Sequence, residues 1–230
     1  SGETIDYGPC AFMDTYDPET VFSSIDQYGR YAFFNQPGIT KWNLARFAEC
    51  LIPLIHDDKN TGIQIATEIV NSFSEIYQKS WFEMMRKKLG LLGKDAKDEK
   101  LIIDLLSWMH KSKADYTNTF CVLMDQNFKK NKIYNNQSFL DWKKQWKIRL
   151  KINNNLPEES LKLMRSSNPL IIPRNHKVEE ALYAANSGDI KPAKNLIKIL
   201  EKPYEDRQEI KDYQSPAPPS DKIYKTFCGT

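Results

Sequence analysis

The stretch best equipped for chemistry lies near the N-terminus, where the chain reads Thr4-Ile5-Asp6-Tyr7-Gly8-Pro9. A carboxylate set after a β-branched residue, with a flexible glycine close behind it, can bind a hard cation such as Mg²⁺ through oxygen. Chemistry at phosphate needs such a cation to neutralise the negative oxygens of a nucleotide. The same tripeptide also reads as an ordinary turn aspartate. A second reactive group is Cys228, third from the end of a polar, proline-containing tail. A thiol on such a tail can reach another thiol and form a switchable disulfide, or it can stand idle. Cys50 and Cys121 fall inside helical patterns and are expected to be buried. No two of the four cysteines have C-x-x-C spacing, which argues against a zinc site.

The other titratable residues read as structural. His56 and His110 follow apolar stripes and are expected at helix ends or in packing. His176, in Arg174-Asn175-His176, reads as a capping or structural hydrogen-bonding residue. Asp115, ahead of Tyr116-Thr117, reads as a helix cap with a core tyrosine rather than a catalytic acid. Arg30, Arg46 and Arg174 suit bidentate anion binding. They can steady a loop or contact phosphates, but pairing with acids such as Asp26 or Asp14 is the reading the sequence favours.

The elements that would position these groups are helices. Residues 1–39 are punctuated by Gly8-Pro9, Asp17-Pro18 and Pro37-Gly38 and read as irregular, with short β-compatible pieces. From Thr40, apolar residues at Leu44, Phe47, Ala48, Leu51 and Ile55 share one helical face, with Pro53 as a kink or end. A second helix from about Thr61 carries Ala66, Ile69, Val70, Phe73, Ile76 and Tyr77. Gly90, Gly93 and the charged residues 94–100 predict a loop. Helices are then predicted over Leu101–Met109, Tyr116–Met124 and around Phe139–Trp146. Pro157 opens another, Val178–Ala185 forms one closed by Gly188, and Pro192 opens the last. The expected domains are an irregular segment over 1–39 that carries the Asp6-Tyr7-Gly8 candidate metal site, a helical body over 40–202, and a proline-containing tail over 203–230 with Cys228.

The 230 residues are 40% hydrophobic, 27% charged and 12% aromatic, a globular balance. The net charge of +3 is spread out, and its lysine runs are broken by acids and aromatics, which fits solvated helix faces and not a nucleic-acid groove. No apolar run approaches the roughly 18 residues of a membrane span, so neither nucleic acid nor membrane is expected as a partner. Few, scattered cysteines suggest a reducing compartment. The expected location is the bacterial cytoplasm, with the mitochondrion as the alternative.

Residues 2–18, Gly-Glu-Thr-Ile-Asp-Tyr-Gly-Pro-Cys-Ala-Phe-Met-Asp-Thr-Tyr-Asp-Pro, closely resemble the segment after the catalytic loop in selenoprotein O-type proteins. The Asp6-Tyr7-Gly8 tripeptide itself resembles the magnesium-binding Asp-Phe-Gly of protein kinases. The resemblance continues through Tyr28-Gly29-Arg30-Tyr31-Ala32-Phe33, Gln36-Pro37-Gly38-Ile39 and Trp42-Asn43-Leu44-Ala45-Arg46. It extends to Lys88-Leu89-Gly90-Leu91, Ala114-Asp115-Tyr116-Thr117, Asn168-Pro169, Arg174-Asn175-His176, Gly188-Asp189 and the terminal Thr226-Phe227-Cys228-Gly229-Thr230.

The resemblance implies a mainly α chain that forms the C-terminal lobe of a kinase-like fold, with a short irregular or β segment at its start. It implies a protein adenylyltransferase, a pseudokinase that moves AMP from ATP onto Ser, Thr or Tyr hydroxyls of proteins. Asp6 would hold Mg²⁺ against the nucleotide phosphates. The family's phosphate-binding residues and Asp-Asn catalytic pair would lie upstream of Ser1, so no catalytic base is assigned here and the isolated fragment is expected to be inactive. A helical module that docks proteins without chemistry of its own is the alternative. The family's redox reading pairs the tail thiol with a cysteine after the magnesium aspartate. Here Phe22-Ser23-Ser24 fill the place where that cysteine is expected, and Cys10 is the nearest substitute; it could equally pack as a small apolar side chain.

Overall fold

The computed structural model describes residues 12–125, 132–152 and 156–218. Eight α-helices form the body: α1 (Gln36–Ile55), α2 (Lys59–Lys88), α3 (Asp98–Ser112), α4 (Tyr116–Met124), α5 (Gln137–Leu150), α6 (Pro157–Ser167), α7 (Asn175–Asn186) and α8 (Lys191–Leu200). The only β-pairing among the described residues is an isolated antiparallel bridge between Thr15 and Asp115. The chain is therefore mainly α, as the periodicity indicated. None of its described helices is long and apolar enough to cross a membrane.

Local signals account for most boundaries. The Asp58 side chain accepts from the Thr61 amide and starts α2, and Asn136 does the same for α5 through the Phe139 amide. Pro157 and Pro192 sit in the first turns of α6 and α8, where their missing N–H costs nothing. Pro53 lies inside α1, which continues through it to Ile55. Beyond the tail's expected start, residues Gln208–Tyr213 form a 3-10 turn that buries Ile210 against Ile171 and Ile199.

The main core joins the C-terminal end of α2 to α3, α4, α5 and α6. Met85, Leu89, Ile102, Leu105, Met109, Phe120 and Phe139 are all buried there. Trp142 and Trp146 of α5 stack in parallel and donate their indole N–H groups to the carbonyls of Leu101 and Leu89, both at 2.9 Å. Each large ring is thus buried with its polar atom satisfied. A buried ion pair closes the far side: Arg149 Nε reaches Asp98 Oδ1 at 2.6 Å. Gly90 turns the chain out of α2 with φ +68°, and a Cβ there would lie 2.8 Å from the Ser160 carbonyl oxygen. Only glycine fits this close crossing of α2 and α6.

The α1–α2 hairpin departs from expectation. The stripe Leu44, Phe47, Ala48, Leu51, Ile55 does not bury as one face: Phe47 is 62% exposed, and α1 contains no buried residue. The half-buried positions of α1 are Pro37, Ile39, Lys41, Ala45, Ala48, Leu51, Ile52 and Ile55, so Ala48, Leu51 and Ile55 of the expected stripe are partly covered while Leu44 and Phe47 are not. Ile69 and Ile76 of α2 are also exposed. Cys50, expected to be buried, is exposed because it lies on the outer side of α1, while Cys121 is buried in α4 as expected.

Candidate functional site

Asp6, Cys10 and Cys228 lie outside the described residues. The structure instead shows how the segment that leaves Asp6-Tyr7-Gly8 is held. Asn175, the first residue of α7, clamps Phe12 twice: its Oδ1 accepts from the Phe12 amide and its Nδ2 donates to the Phe12 carbonyl, both at 2.8 Å. Two residues on, the backbone pairs with the turn between α3 and α4. The Tyr116 amide donates to the Asp14 carbonyl at 2.8 Å, and the Tyr16 amide donates to the Ala114 carbonyl at 2.9 Å. The Tyr16 ring then stacks on Tyr116, with centroids 5.7 Å apart.

Arg174 is the centre of this anchor. It is 1% exposed, and its guanidinium bonds Asp14 Oδ1 at 2.6 Å, Asp115 Oδ2 at 2.7 Å and the Gln214 carbonyl at 3.0 Å. Asp115 caps α4 through the Asn118 amide at 2.7 Å, so one carboxylate starts a helix and fixes the arginine. Asn118 Nδ2 also donates to the Gln214 carbonyl, drawing the 3-10 turn onto the same point. Burial works against the Arg174 charge, but Asp115 and Asp14 outweigh it and raise its pKa. Burial lifts the Asp115 pKa too, against the pull of Arg174. The two directions disagree on whether pairing or burial prevails. The short bonds from both carboxylates to one guanidinium favour pairing.

Beneath Phe12 and Met13 lies a cavity of about 350 Å³ that also meets Lys88, Tyr116, Phe120 and Asn168. The Lys88 ammonium is buried over the Phe120 ring, 4.4 Å from its centroid, and reaches only the Ser167 carbonyl at 3.4 Å. No acidic side chain among the described residues pairs with it. Desolvation pushes its pKa down to about 8. Asn168 donates to the carbonyls of Lys88 and Met164 at 2.8 Å each, while its Oδ1 is buried without a partner.

The remaining sequence candidates separate clearly. Asp115 is the helix cap expected of it, and Arg174 pairs with Asp14 as the structural reading held. Arg30 does not pair with Asp26; that carboxylate accepts from the Arg30 and Tyr31 amides at 2.8 Å, and the guanidinium stacks on Trp42. Arg46 pairs with Glu49. His56 ends α1, and its Nδ1 accepts from the Asp58 amide. His110 lies 3.6 Å from Asp17. His176 is not the hydrogen-bonding residue expected, since its Nδ1 is buried without a partner; its neighbour Asn175 makes the contacts instead. No group of three or more His, Cys, Asp or Glu among the described residues is placed to hold a metal. The arrangement is an anchor: it fixes Phe12, Asp14 and Tyr16 against α4 and the start of α7.

Comparison with known proteins bears on what is anchored. The sequence model of the family described as "Protein adenylyltransferase SelO" matches residues 1–201. Among curated proteins, the "Protein nucleotidyltransferase YdiU" of Pelagibacter ubique is 56% identical over 230 residues, covering 100% of this chain and 48% of the relative. Proteins of the same name from Clostridium botulinum and Nitrosococcus oceani are 53% and 48% identical, again over the whole chain and 47% of their own length. The chain belongs to the protein adenylyltransferase SelO family. It spans about half the length of the curated relatives it matches.

Proposed function

We propose that the parent of this chain is a Mg²⁺-dependent protein adenylyltransferase that transfers AMP from ATP to Ser, Thr or Tyr hydroxyls of protein substrates in a reducing bacterial cytoplasm. Membership of the family, over the whole chain and at up to 56% identity, carries this reading. The likeness to kinases remains the fold reading, with this chain as a C-terminal lobe.

In this reading Asp6 offers the hard oxygen donor that Mg²⁺ takes. The bound ion offsets charge on the nucleotide phosphates during transfer. The chain's own contribution is positional. Asn175 fixes the backbone at Phe12, and Arg174 fixes Asp14, six and eight residues beyond Asp6. An anchor this close along the chain shortens the tether of such a metal ligand and lowers the entropy lost in placing it. The phosphate-binding and catalytic groups lie in the half of the parent outside this chain, so the isolated fragment is expected to be inactive. Cys228 and Cys10 remain a proposed redox pair that would act on the enzyme rather than in its chemistry.

The test is to incubate full-length parent and a protein substrate with Mg²⁺ and ATP labelled at the α- or the γ-phosphate. Label only from the α-phosphate, abolished by a chelator and by Asp6→Ala with folding intact, supports the reading. Label from the γ-phosphate makes the protein a kinase. Label from neither, with folded protein and several substrates, favours the docking module.

A further inference from the structure

Helix α1 is more apolar than its one packed side requires. Its residues carry two apolar stripes, not one. Ala45, Ala48, Ile52 and Ile55 turn towards α2, where Ile52 lies close to Gly62. Beside them, Leu44, Phe47 and Leu54 recur at offsets of 3 and 10 along a second, exposed strip of the helix, with the half-buried Leu51 lying between this strip and the α2 side. That outer stripe is bare: Leu44 is 39% exposed, Phe47 62% and Leu54 83%. A surface helix needs one apolar stripe, and a helix with two is built to lie between two partners. The first turn of α1 also borders an open groove of about 1030 Å³, walled by Phe34, Phe73, Tyr77 and Trp81, so the apolar surface extends beyond the helix itself.

We propose that the outer stripe of α1 is the seat of the half of the parent protein that lies outside this chain, which covers it with an apolar face of its own. The chain accounts for only 47–48% of its relatives' length, so a body of equal size is available to do this in the same molecule. The charged residues between Leu44 and Leu54, Arg46 and Glu49, pair with each other, which leaves an apolar contact better matched to this strip than an acidic or basic partner. This inference rests on the reading of the chain as part of a longer enzyme. It adds where the two halves meet: α1 is buried between α2 and the missing half, and links the Asp6 segment to it.

Cys50 is the natural probe, because its thiol lies on the outer side of α1, is exposed here and reaches only the Arg46 carbonyl in its own helix. Wild-type full-length parent is alkylated with N-ethylmaleimide, and the Cys50 peptide is quantified by mass spectrometry over time. The rate in concentrated urea serves as the unprotected reference. At least tenfold slower labelling of the folded protein is expected, about the protection given by stable burial. Labelling within about twofold of the urea rate overturns the proposal. Protection that disappears on dilution assigns the face to a second copy, and protection that appears only with added substrate protein assigns it to substrate; either result also overturns it. AMP transfer is measured on the same preparation. Protected Cys50 without transfer keeps the interface and removes the proposed activity, whereas transfer with freely labelled Cys50 does the reverse.

Discussion

The C-terminal end and the middle of α2 carry apolar side chains into opposite surroundings. Towards its C-terminus, Phe82, Met85 and the following Leu89 are buried among α3, α5 and α6. Towards its middle, Ile69 and Ile76 face outwards, and the α1 helix packed beside them buries nothing fully. Hydrophobicity alone does not separate these regions. What separates them is whether this chain supplies the opposing wall. A packed core punishes any change in charge, backbone or volume, whereas a face awaiting its partner tolerates change until the partner arrives.

The largest effect should come from the anchor. Arg174→Met leaves Asp14 and Asp115 without their cation, and about 3–5 kcal/mol of stability should be lost, read as a fall in the urea midpoint. The same variant in the full-length parent should lose AMP transfer. Stability within 1 kcal/mol of wild type would mean that the buried side is no more demanding than the bare one.

Gly90→Ala comes next. It combines a left-handed backbone with a Cβ 2.8 Å from the Ser160 carbonyl. Strain of about 1–2 kcal/mol and overpacking of about 1–3 kcal/mol add up to roughly 2–5 kcal/mol, measured by thermal or urea unfolding.

Lys88 sharpens the comparison through pH. Its folded pKa of about 8 lies below the ordinary 10.5, so the unfolded chain binds the proton more tightly. The burial penalty is therefore complete below about pH 8. Stability should rise between pH 8 and 10.5, by about 3 kcal/mol in all, and then level off. Lys88→Met should flatten that rise. At pH 7 it removes about 3 kcal/mol of desolvation cost and about 2 kcal/mol of attraction to the Phe120 and Tyr116 rings. A net gain of about 1 kcal/mol is expected. A loss would show that the rings outweigh desolvation.

The smallest effect should come from Leu54→Asp, within about 0.5 kcal/mol in this chain because the side chain is already in water. In the full-length parent the same change should cost 2 kcal/mol or more, as a charge enters an apolar contact. Equal effects in both would remove the distinction between the two regions.

Local features were legible in the sequence. Asp115 and the helix Tyr116–Met124 were readable because a cap bonds only three residues ahead, and Pro157 and Pro192 because proline at a helix start acts within one turn. The anchor was only partly legible. Pairing of Arg174 with Asp14 was one option among several acids, because its partners lie 160, 59 and 40 residues away and no local spacing selects them. Asn175 gave no signal, since an amide clamping a distant backbone has no characteristic neighbours. Cys50 was misjudged for a related reason: helical periodicity identifies apolar faces but not which of them finds a partner. The 3-10 turn at Gln208–Tyr213 was hidden in a polar, proline-containing stretch whose one buried anchor is Ile210.

The knot around Arg174 also sets an order of events during synthesis. Asp14 leaves the ribosome among the first residues of this chain, but its arginine follows 160 residues later and the carbonyl of Gln214 later still. At about 5–20 residues per second, Asp14 waits roughly 10–30 s for its counter-charge. During that interval Asp14 and Asp115 lack their shared cation, and a chain that stops short of Arg174 has no buried anchor for residues 12–16. Completion of the C-terminal helices is thus a condition for fixing the N-terminal segment 12–16.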